Sequence, residues 1–402
     1  MDFLEEEFNK PSVFADESKL SSEYVPDNLL FREEQLRMVV RHFRGLFSNT
    51  QSTRKLVITG SVGTGKTSIA KKFGYWAENK SIEEKVGLNY VHVNCRRNRT
   101  PFMILLAITR ELNSHIPTRG YSADELMEMV VELLEAKKTT MLLTLDEIDY
   151  TMDRGGADLI YALTRTADDR QDPNHRIALI LISRNASFLS ELDASTRSSL
   201  SPAMMKLEPY SKSQLVKILD DRIKQSFLPG SVSNDAIVLA GEISSIKGDA
   251  RQALELMWYA GKLADKEGNS RVYPEHVRLA KSSVDPSLLR GVIADMSNHK
   301  LSLLLGIAKQ LRLTQAAHIT TGSAIESYKI ICESQKLQPR KHTQIWEYLK
   351  EFEKFGVLVT QKSGLGQRGN TLYISIQDVS AAELEMEVEK QLLLIEKQSI
   401  VH

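Results

Sequence analysis

A glycine-rich stretch carries residues whose types and spacing can bind phosphate. Residues 56–67 read LVITGSVGTGKT, which fits the pattern G-x-x-x-x-G-K-[ST] after an apolar run. In this pattern the glycines let backbone N–H groups surround phosphate oxygens, the lysine reaches the outer phosphates and the hydroxyl ligates magnesium. A glycine-rich turn between a strand and a helix is the alternative. The pattern predicts that a nucleoside triphosphate binds to Gly60, Ser61, Val62, Gly63, Thr64, Gly65, Lys66, Thr67 and Ser68.

A second motif supplies the carboxylates that phosphoryl transfer to water requires. Residues 141–149 read MLLTLDEID, an apolar strand that ends in adjacent acidic residues. We expect Asp146 to hold magnesium together with Thr67, and Glu147 to orient and deprotonate the attacking water. A buried strand followed by an acidic helix cap is the alternative. Because the motif follows a phosphate-binding loop, we predict hydrolysis of the bound nucleotide, with Lys66 acting at its phosphates.

Composition restricts the class of protein and its compartment. The chain has 402 residues, more than one ordinary hydrophobic core contains, so two or three domains are expected. Its 52 lysines and arginines balance 52 aspartates and glutamates, which argues against a uniformly basic coat but allows a local basic face. Cys95 and Cys332 have no pairing or metal-ligand spacing, which fits the reduced cytoplasm. No apolar run approaches about 18 residues and no signal peptide is evident, so no membrane partner is expected.

The elements that must position these motifs alternate between strands and helices. Strand-like runs occur at residues 55–59, 88–93, 141–145 and 177–182, with helical stretches between them. This alternation predicts an α/β domain with a parallel sheet over residues 1–208. Residues 209–283 carry three helical patterns without a comparable strand, and predict a small helical domain. Serine, aspartate and proline break the helical periodicity at its end.

The last third of the chain, residues 284–402, combines amphipathic helices with a hairpin. Residues 339–356 read PRKHTQIWEYLKEFEKFG and place apolar residues on one helix face, whereas residues 356–376 read as two strands with a basic tip. Three helices and a hairpin predict a winged helix, whose third helix enters the major groove and whose wing touches the backbone or minor groove. A protein-binding winged helix is the alternative, but basic residues at both contact points favour duplex DNA. The predicted DNA contacts are Arg340, Lys341, Thr343, Gln344, Lys362, Gln367 and Arg368.

Together these motifs resemble those of the archaeal origin-recognition and cell-division-cycle type (Orc/Cdc) replication initiators. In that family an AAA+ ATPase base is followed by a helical lid and a C-terminal winged helix, and the resemblance covers nearly the whole chain. Residues 24–36, YVPDNLLFREEQL, are similar to the segment lining the adenine pocket, residues 207–227 resemble the start of the lid, and residues 248–254, GDARQAL, resemble the sensor-two helix. The resemblance implies that the nucleotide is ATP or ADP with Mg²⁺. It also implies nucleotide contacts from Tyr24, Val25, Tyr210, Arg222 and Arg251.

Two positions depart from the family's pattern. The stretch LISRNASFL places Arg184 where the family usually has a polar sensor, and a shift of one residue places Asn185 there. Either would hydrogen-bond the attacking water or the outer phosphate, and the alternative is that both cap the strand end. The stretch LDASTRSSL places Ser195 where the family usually has an arginine that acts in a neighbouring subunit's site, with Arg197 two residues further on. Because loss of an arginine finger lowers turnover by orders of magnitude, this departure predicts slow hydrolysis and a divergent paralogue.

The resemblance implies an ATP-dependent protein that binds duplex origin DNA and initiates or regulates chromosome replication at the nucleoid. Its implied partners are the replicative helicase, which it helps to recruit, and paralogous initiators. In this hypothesis the nucleotide is a conformational switch that slow hydrolysis resets. The alternatives are a nucleotide-bound regulator of origins without loading activity, and a protein-remodelling AAA+ ATPase whose winged helix docks on proteins. The acidic amphipathic stretch ELEMEVEKQLLLIEK can pack on the winged helix or bind a partner, and the sequence leaves both open.

Overall fold

The computed structural model divides the chain into two compact units. The residues outside its description are 1, 48–53, 118, 166–176, 201, 202, 283–292, 294, 295, 355, 356, 363–371, 377–379, 401 and 402. A sheet unit comprises Val25–Tyr210 with Gly248–Ala250. A helical unit comprises Met1–Tyr24, Ser211–Lys247 and Arg251–His402. The two regions that the sequence divides at residue 283 therefore both belong to the helical unit.

The sheet unit is built on five parallel strands. They are β1 Lys55–Thr59, β2 Leu88–Asn94, β3 Thr140–Asp146, β4 Ile177–Ser183 and β5 Ala203–Lys206, in the order β2-β3-β4-β1-β5. All neighbouring pairs are parallel, which confirms the predicted sheet, and β5 is an additional edge strand. Because the carboxyl ends of parallel strands meet at one edge, the segments after β1, β3 and β4 lie side by side. The phosphate-binding pattern and the acidic motif are therefore neighbours.

Helices cover both faces of this sheet. Their bounds are Glu33–Phe43, Lys66–Glu83, Pro101–Leu112, Ala123–Lys137, Gly156–Arg165, Phe188–Glu191 and Ala194–Leu200. Successive strand residues point to opposite faces, so Leu142 packs with Ile69 whereas Leu143 packs with Ile104 in a separate core. Covering helices on both faces explain why β3 and β4 are apolar along nearly their whole length.

Helix starts follow from local capping chemistry. Ser122 accepts a hydrogen bond from the Glu125 N–H at 3.2 Å, and the Glu125 carboxylate accepts one from the Ser122 N–H at 2.6 Å. Ser211 and Gln214 form the same reciprocal pair at the start of the next unit's first long helix. Such caps contribute about 1 kcal/mol each, because they satisfy N–H groups that have no partner within the helix. They therefore fix where these helices begin.

The helical unit combines the predicted lid helices with a winged helix. Its helices are Asp2–Phe8, Lys212–Ser226, Asn234–Ser245, Ala250–Lys266, Pro274–Ser282, Asn298–Thr314, Thr321–Ser334, His342–Lys354 and Ala381–Ile400. A three-stranded antiparallel sheet has the order β6-β8-β7, formed by β6 Ile319–Thr320, β7 Val359–Lys362 and β8 Leu372–Ser375. We call β7, β8 and the residues between them the wing. The helix His342–Lys354 buries Ile345, Leu349 and Phe352, so the apolar face of this helix packs into the core of the winged helix.

The acidic C-terminal helix Ala381–Ile400 packs on the winged helix. Leu384 and Val388 are fully buried in its core. Two ion pairs follow the same face, Lys309 with Glu389 at 2.8 Å and Arg312 with Glu385 at 2.7 Å. Of the two alternatives that the sequence left open, packing within the chain is the one observed. No helix in the described part of the chain is both long enough and apolar enough to span a membrane.

A buried ion pair joins the lid helices to the winged helix. Arg278, fully buried, donates to the carbonyls of Ala316 at 2.8 Å and Ala317 at 3.2 Å, and to Glu275 at 3.2 Å. Glu275 in turn accepts hydrogen bonds from the N–H groups that begin the C-terminal helix, at 2.9 and 3.2 Å. Burial lowers the pKa of Arg278, and the Glu275 carboxylate opposes this. Both charges are thus paired within the helical unit.

Candidate nucleotide site and nucleic-acid interface

The phosphate-binding loop has a backbone that only glycines adopt without strain. Gly63 and Gly65 have φ angles of 71° and 91°, in the left-handed region. A Cβ atom on Gly63 would lie 1.7 Å from Asp249 Oδ1, and one on Gly65 would lie 3.0 Å from the Tyr210 hydroxyl. Gly65 also precedes the first residue of the helix Lys66–Glu83, whose N–H groups face the loop. The loop is therefore a cradle for an anion at a helix N-terminus.

The lysine, the hydroxyl and the first carboxylate of the two motifs lie together. Lys66 Nζ donates to the carbonyls of Gly60 at 2.6 Å and Ser61 at 2.7 Å. Thr67 Oγ1 donates to Asp146 Oδ2 at 2.7 Å. Burial lowers the pKa of Lys66, which nearby carboxylates, Asp146 foremost, counteract. The ammonium group is thus held at the loop, next to a hydroxyl–carboxylate pair.

This pair fits magnesium bound together with phosphates. Within the described ranges, no cluster of three or more His, Cys, Asp and Glu side chains could hold a metal by itself. Mg²⁺ commonly takes only one or two protein oxygens, with substrate phosphates and water completing its octahedron. Thr67 and Asp146 would supply those oxygens, and His92 Nε2 lies 3.4 Å from the same Asp146 oxygen. The donor set therefore suits a nucleotide-bound ion rather than a structural metal.

Glu147 is positioned by a residue that sequence reasoning missed. Asn94, the last residue of β2, donates from Nδ2 to Glu147 Oε2 at 3.1 Å. The Asn94 Oδ1 atom accepts from the N–H groups of Arg96 and Arg97 at 3.0 and 3.1 Å. Glu147 has a φ angle of 57°, an uncommon conformation for a residue with a side chain, and such strain is concentrated at functional sites. A polar residue at the end of the strand beside β3 was the available signal.

The two candidate sensor residues differ in their contacts. Arg184 is exposed and donates from Nη2 to the Tyr150 hydroxyl at 2.6 Å, while its N–H donates to Asp149 at 3.3 Å. Asn185 Oδ1 accepts from the N–H of Ser187 at 2.9 Å and from its hydroxyl, which closes the turn after β4. Ser183 donates to Asp149, so Asp149 braces this strand end. The Asn185 side chain is thus engaged in the turn, and Arg184 has its guanidinium near the acidic motif.

Arg32 is a second residue of the site that the sequence motifs do not predict. It is buried, and its Nε donates to the Thr64 carbonyl of the phosphate-binding loop at 3.0 Å. Its Nη2 donates to the Glu208 carbonyl at 2.7 Å, and its guanidinium lies 4.0 Å from the centre of the Tyr210 ring. Burial raises the pKa of Tyr210, and Arg32 opposes this. Arg32 thereby ties the loop to the segment after β5.

The remaining predicted nucleotide contacts belong to both units. Val25 begins the sheet unit, which also contains the loop, the acidic motif and Tyr210. In the helical unit, the Arg222 guanidinium lies 4.6 Å from the centre of the Tyr24 ring. Arg222 is buried, and its Nη1 contacts no hydrogen-bond partner among the residues described. Arg251 is exposed and donates to Glu255 at 3.0 Å along its own helix.

The predicted DNA contacts that are described lie at the start of one helix. Arg340, Lys341, Thr343 and Gln344 are exposed just before and within the first turn of His342–Lys354. Lys362 ends β7, without a described side chain, and Gln367 and Arg368 lie outside the described residues. At the position expected for an arginine finger, Ser195 lies in the helix Ala194–Leu200. Arg197 donates to the Leu192 carbonyl of its own helix start at 2.9 Å.

Comparisons with known proteins agree with this architecture along the whole chain. A model of the AAA domain matches residues 50–190, one of the Cdc6 AAA+ ATPase-type lid domain matches residues 216–282, and one of the CDC6 C-terminal winged helix domain matches residues 291–385. The chain is 33% identical over 393 residues to "ORC1-type DNA replication protein 2" of Sulfurisphaera tokodaii, covering 96% of the chain and 94% of the relative. The resemblance and the fold class inferred from the sequence are confirmed.

Two solved structures share the fold over nearly their full length. The structure of Cdc6p from Pyrobaculum aerophilum is 30% identical, with a TM-score of 0.80 over 94% of this chain and 98% of that one. The Aeropyrum pernix ORC1 protein, solved in complex with DNA, is 26% identical, with a TM-score of 0.63 over 96% of this chain and 99% of that one. Base, lid and winged helix thus occur together in both relatives.

Proposed function

The chain belongs to the ORC1-type DNA replication proteins of archaea, and from this premise we propose that it is an ATP-dependent, DNA-binding initiator or regulator of chromosomal replication. The single observation that carries the nucleotide part is the hydrogen bond from Thr67 to Asp146. It joins the hydroxyl and the carboxylate that hold magnesium in phosphoryl transfer. The parallel sheet brings these two side chains together from sequence-distant motifs.

In this proposal the sheet unit binds ATP and hydrolyses it slowly. Lys66 and the N–H groups of the loop bind the phosphates. Thr67 and Asp146 would hold magnesium, which would supply positive charge to neutralise the phosphates. Glu147, oriented by Asn94, accepts the proton of the attacking water. Hydrolysis is slow because a serine, Ser195, stands where the family has an arginine finger. The nucleotide therefore acts as a switch between conformations.

The DNA part of the proposal assigns the winged helix to duplex origin DNA. The exposed Arg340 and Lys341 neutralise phosphates, and Thr343 and Gln344 face the major groove from the same helix turn. The DNA complex of the Aeropyrum pernix relative supports this assignment. Further partners are the replicative helicase, which the protein helps to recruit, and paralogous initiators. The site of action is the nucleoid.

Duplex DNA binding, measured by fluorescence anisotropy at two salt concentrations, tests the proposal. Each measurement is made without nucleotide, with ADP and with a non-hydrolysable ATP analogue, using candidate origin DNA and a scrambled competitor. We expect tight, salt-dependent and sequence-selective binding that responds to the nucleotide. Absence of binding under all conditions would overturn the proposal. The winged helix would then be a protein-docking module of a remodelling ATPase.

A second candidate is a regulator that occupies origins without loading a helicase. Ser195 favours it, since an ATPase without its arginine finger cannot complete a neighbouring subunit's site. The two candidates predict different helicase recruitment in a purified system that contains origin DNA, the replicative helicase and this protein. Helicase recruited to DNA only in the presence of this protein and ATP supports the initiator. Binding to the origin that leaves the helicase unrecruited supports the regulator.

A further inference from the structure

A buried carboxylate of the lid faces groups from the winged helix. Glu242 lies in the helix Asn234–Ser245 and is only 3% exposed. Its Oε2 atom lies 3.3 Å from Lys212 Nζ of the neighbouring lid helix and 3.4 Å from His318 Nε2. Its Oε1 atom accepts a hydrogen bond from Gln361 Nε2. All of these residues belong to the helical unit.

The partners of Glu242 come from three separate elements. Lys212 begins a lid helix, His318 directly precedes β6, and Gln361 lies in β7. Burial lowers the pKa of His318, and the Glu242 carboxylate opposes this. A buried carboxylate is costly unless it is paired and hydrogen-bonded. Breaking one of these contacts therefore affects the others.

The contact with Gln361 connects Glu242 to β7, a strand of the wing. Gln361 is paired with Tyr373 across β7 and β8, and the Tyr373 ring lies 6.2 Å from that of His318. Lys362, the next residue, ends β7 and is a proposed DNA contact. The Glu242 carboxylate thus contacts β7 through Gln361, and it contacts the residue that precedes β6, His318. A displacement of this side chain would be transmitted to the wing.

We propose that Glu242 is a positioning residue for DNA binding, whose carboxylate holds β7 of the wing in place through its contacts with Gln361 and His318. The proposal rests on the assignment of the winged helix to duplex DNA. Glu242 itself touches no DNA in this proposal. It acts by fixing β7, so that this strand loses less conformational entropy when the winged helix binds DNA. The lid thereby contributes to the DNA grip of the winged helix.

A charge exchange between the two partners tests the proposal. Gln361→Glu places a second carboxylate against Glu242, and the repulsion should break the contact between Glu242 and β7. Adding Glu242→Gln to this variant restores a hydrogen bond in which residue 242 donates and residue 361 accepts. The charge at residue 361 is the same in the single and the double variant. We expect Q361E to weaken duplex binding by about tenfold, in the range that loss of one part-buried hydrogen bond to a carboxylate produces. We expect the exchanged pair to bind within about threefold of the wild type, whereas ATP affinity is unchanged in both.

Hydrogen exchange of the β7 amides, measured without DNA, separates this proposal from the DNA assignment. Q361E should exchange about tenfold faster at Val359–Lys362, and the exchanged pair should recover the protection. Gln361→Met, which adds no charge, should give an intermediate exchange rate at the β7 amides. This variant still tests the proposal if Q361E fails to fold. If β7 protection and DNA affinity are the same in Q361E and the wild type, Glu242 does not hold the wing. If the wild type fails to bind DNA while β7 responds as expected, the DNA assignment fails and the contact of Glu242 with the wing remains.

Discussion

The Nδ2 atom of Asn94 lies 3.1 Å from Glu147 Oε2, which links the ends of two neighbouring strands at the point where hydrolysis is proposed. The register of the sheet produces this contact, because Asn94 is paired with Asp146 and Glu147 follows directly. The amide fixes the orientation of the carboxylate. Its oxygen holds the following turn through the N–H groups of Arg96 and Arg97. One side chain therefore couples Glu147, the proposed general base, to the loop after β2.

Asn94→Asp separates these two roles. The new carboxylate retains an acceptor for the turn but replaces the donor with a charge that repels Glu147. We expect the single-turnover rate of ATP hydrolysis to fall by about tenfold, equivalent to ~1.4 kcal/mol, with ATP affinity unchanged. Asn98→Asp, which adds the same charge in the same turn, is the control, because the Asn98 side chain donates to the Asn94 backbone carbonyl and has no hydrogen bond to Glu147 among the described residues. Hydrolysis at the wild-type rate in Asn94→Asp would show that the contact is structural.

Lys66→Ala tests the phosphate-binding loop itself. The ammonium group contacts two loop carbonyls and is the cation at the expected position of the outer phosphates. We expect ATP affinity to fall by about 10- to 150-fold, since a charge-assisted hydrogen bond to phosphate, worth about 1.5–3 kcal/mol, is lost. Lys71→Ala on the same helix is the matched control and should bind normally. Isothermal titration calorimetry distinguishes the two, and wild-type affinity in Lys66→Ala would contradict the assignment.

Arg32→Lys tests whether the loop needs its brace. A lysine keeps the charge but has one nitrogen in place of the Nε and Nη2 atoms that donate to the Thr64 and Glu208 carbonyls, and it lacks the planar group that stacks on Tyr210. Loss of one such hydrogen bond costs about 2 kcal/mol, which lowers the Tm of a unit of this size by roughly 4–8 °C. Scanning calorimetry with and without ATP measures this, with the exposed Arg37→Lys as control. An unchanged Tm would mean that the loop holds its shape without Arg32.

The sequence predicts the parts of the site that depend on strand ends and local spacing. Loop, acidic motif and apolar stripe each lie within one short stretch, so residue types and periodicity suffice to place them. Arg32 and Asn94 were not predicted because their partners, Thr64 and Glu147, are far away in sequence. The sheet register brings Asn94 to Glu147, and the tertiary fold brings Arg32 to Thr64. The edge strand β5 escaped because its four residues have no long apolar run. Contacts between residues far apart in the chain therefore cannot be predicted from residue types and local spacing.

The double variant Arg340→Ala with Lys341→Ala tests the helix that is proposed to face DNA. Its fold should persist, because the contact of Arg340 with the Tyr328 hydroxyl at 3.1 Å uses the backbone N–H. If both side chains contact phosphates, the slope of log affinity against log salt should become shallower by about 1.8, since each phosphate contact contributes about 0.9. Binding to origin and scrambled duplexes should weaken to the same extent, because phosphate contacts carry no sequence information.

The matched control for this variant is Lys247→Ala with Lys266→Ala, which removes two exposed lid lysines. It lowers the net charge equally, so it measures what a loss of charge alone does to DNA binding. A slope that is unchanged in the winged-helix variant, or changed equally in the lid variant, would place the phosphate contacts elsewhere. That result would also remove the support for Thr343 and Gln344 as groove contacts, since they lie in the first turn of the helix that Lys341 directly precedes.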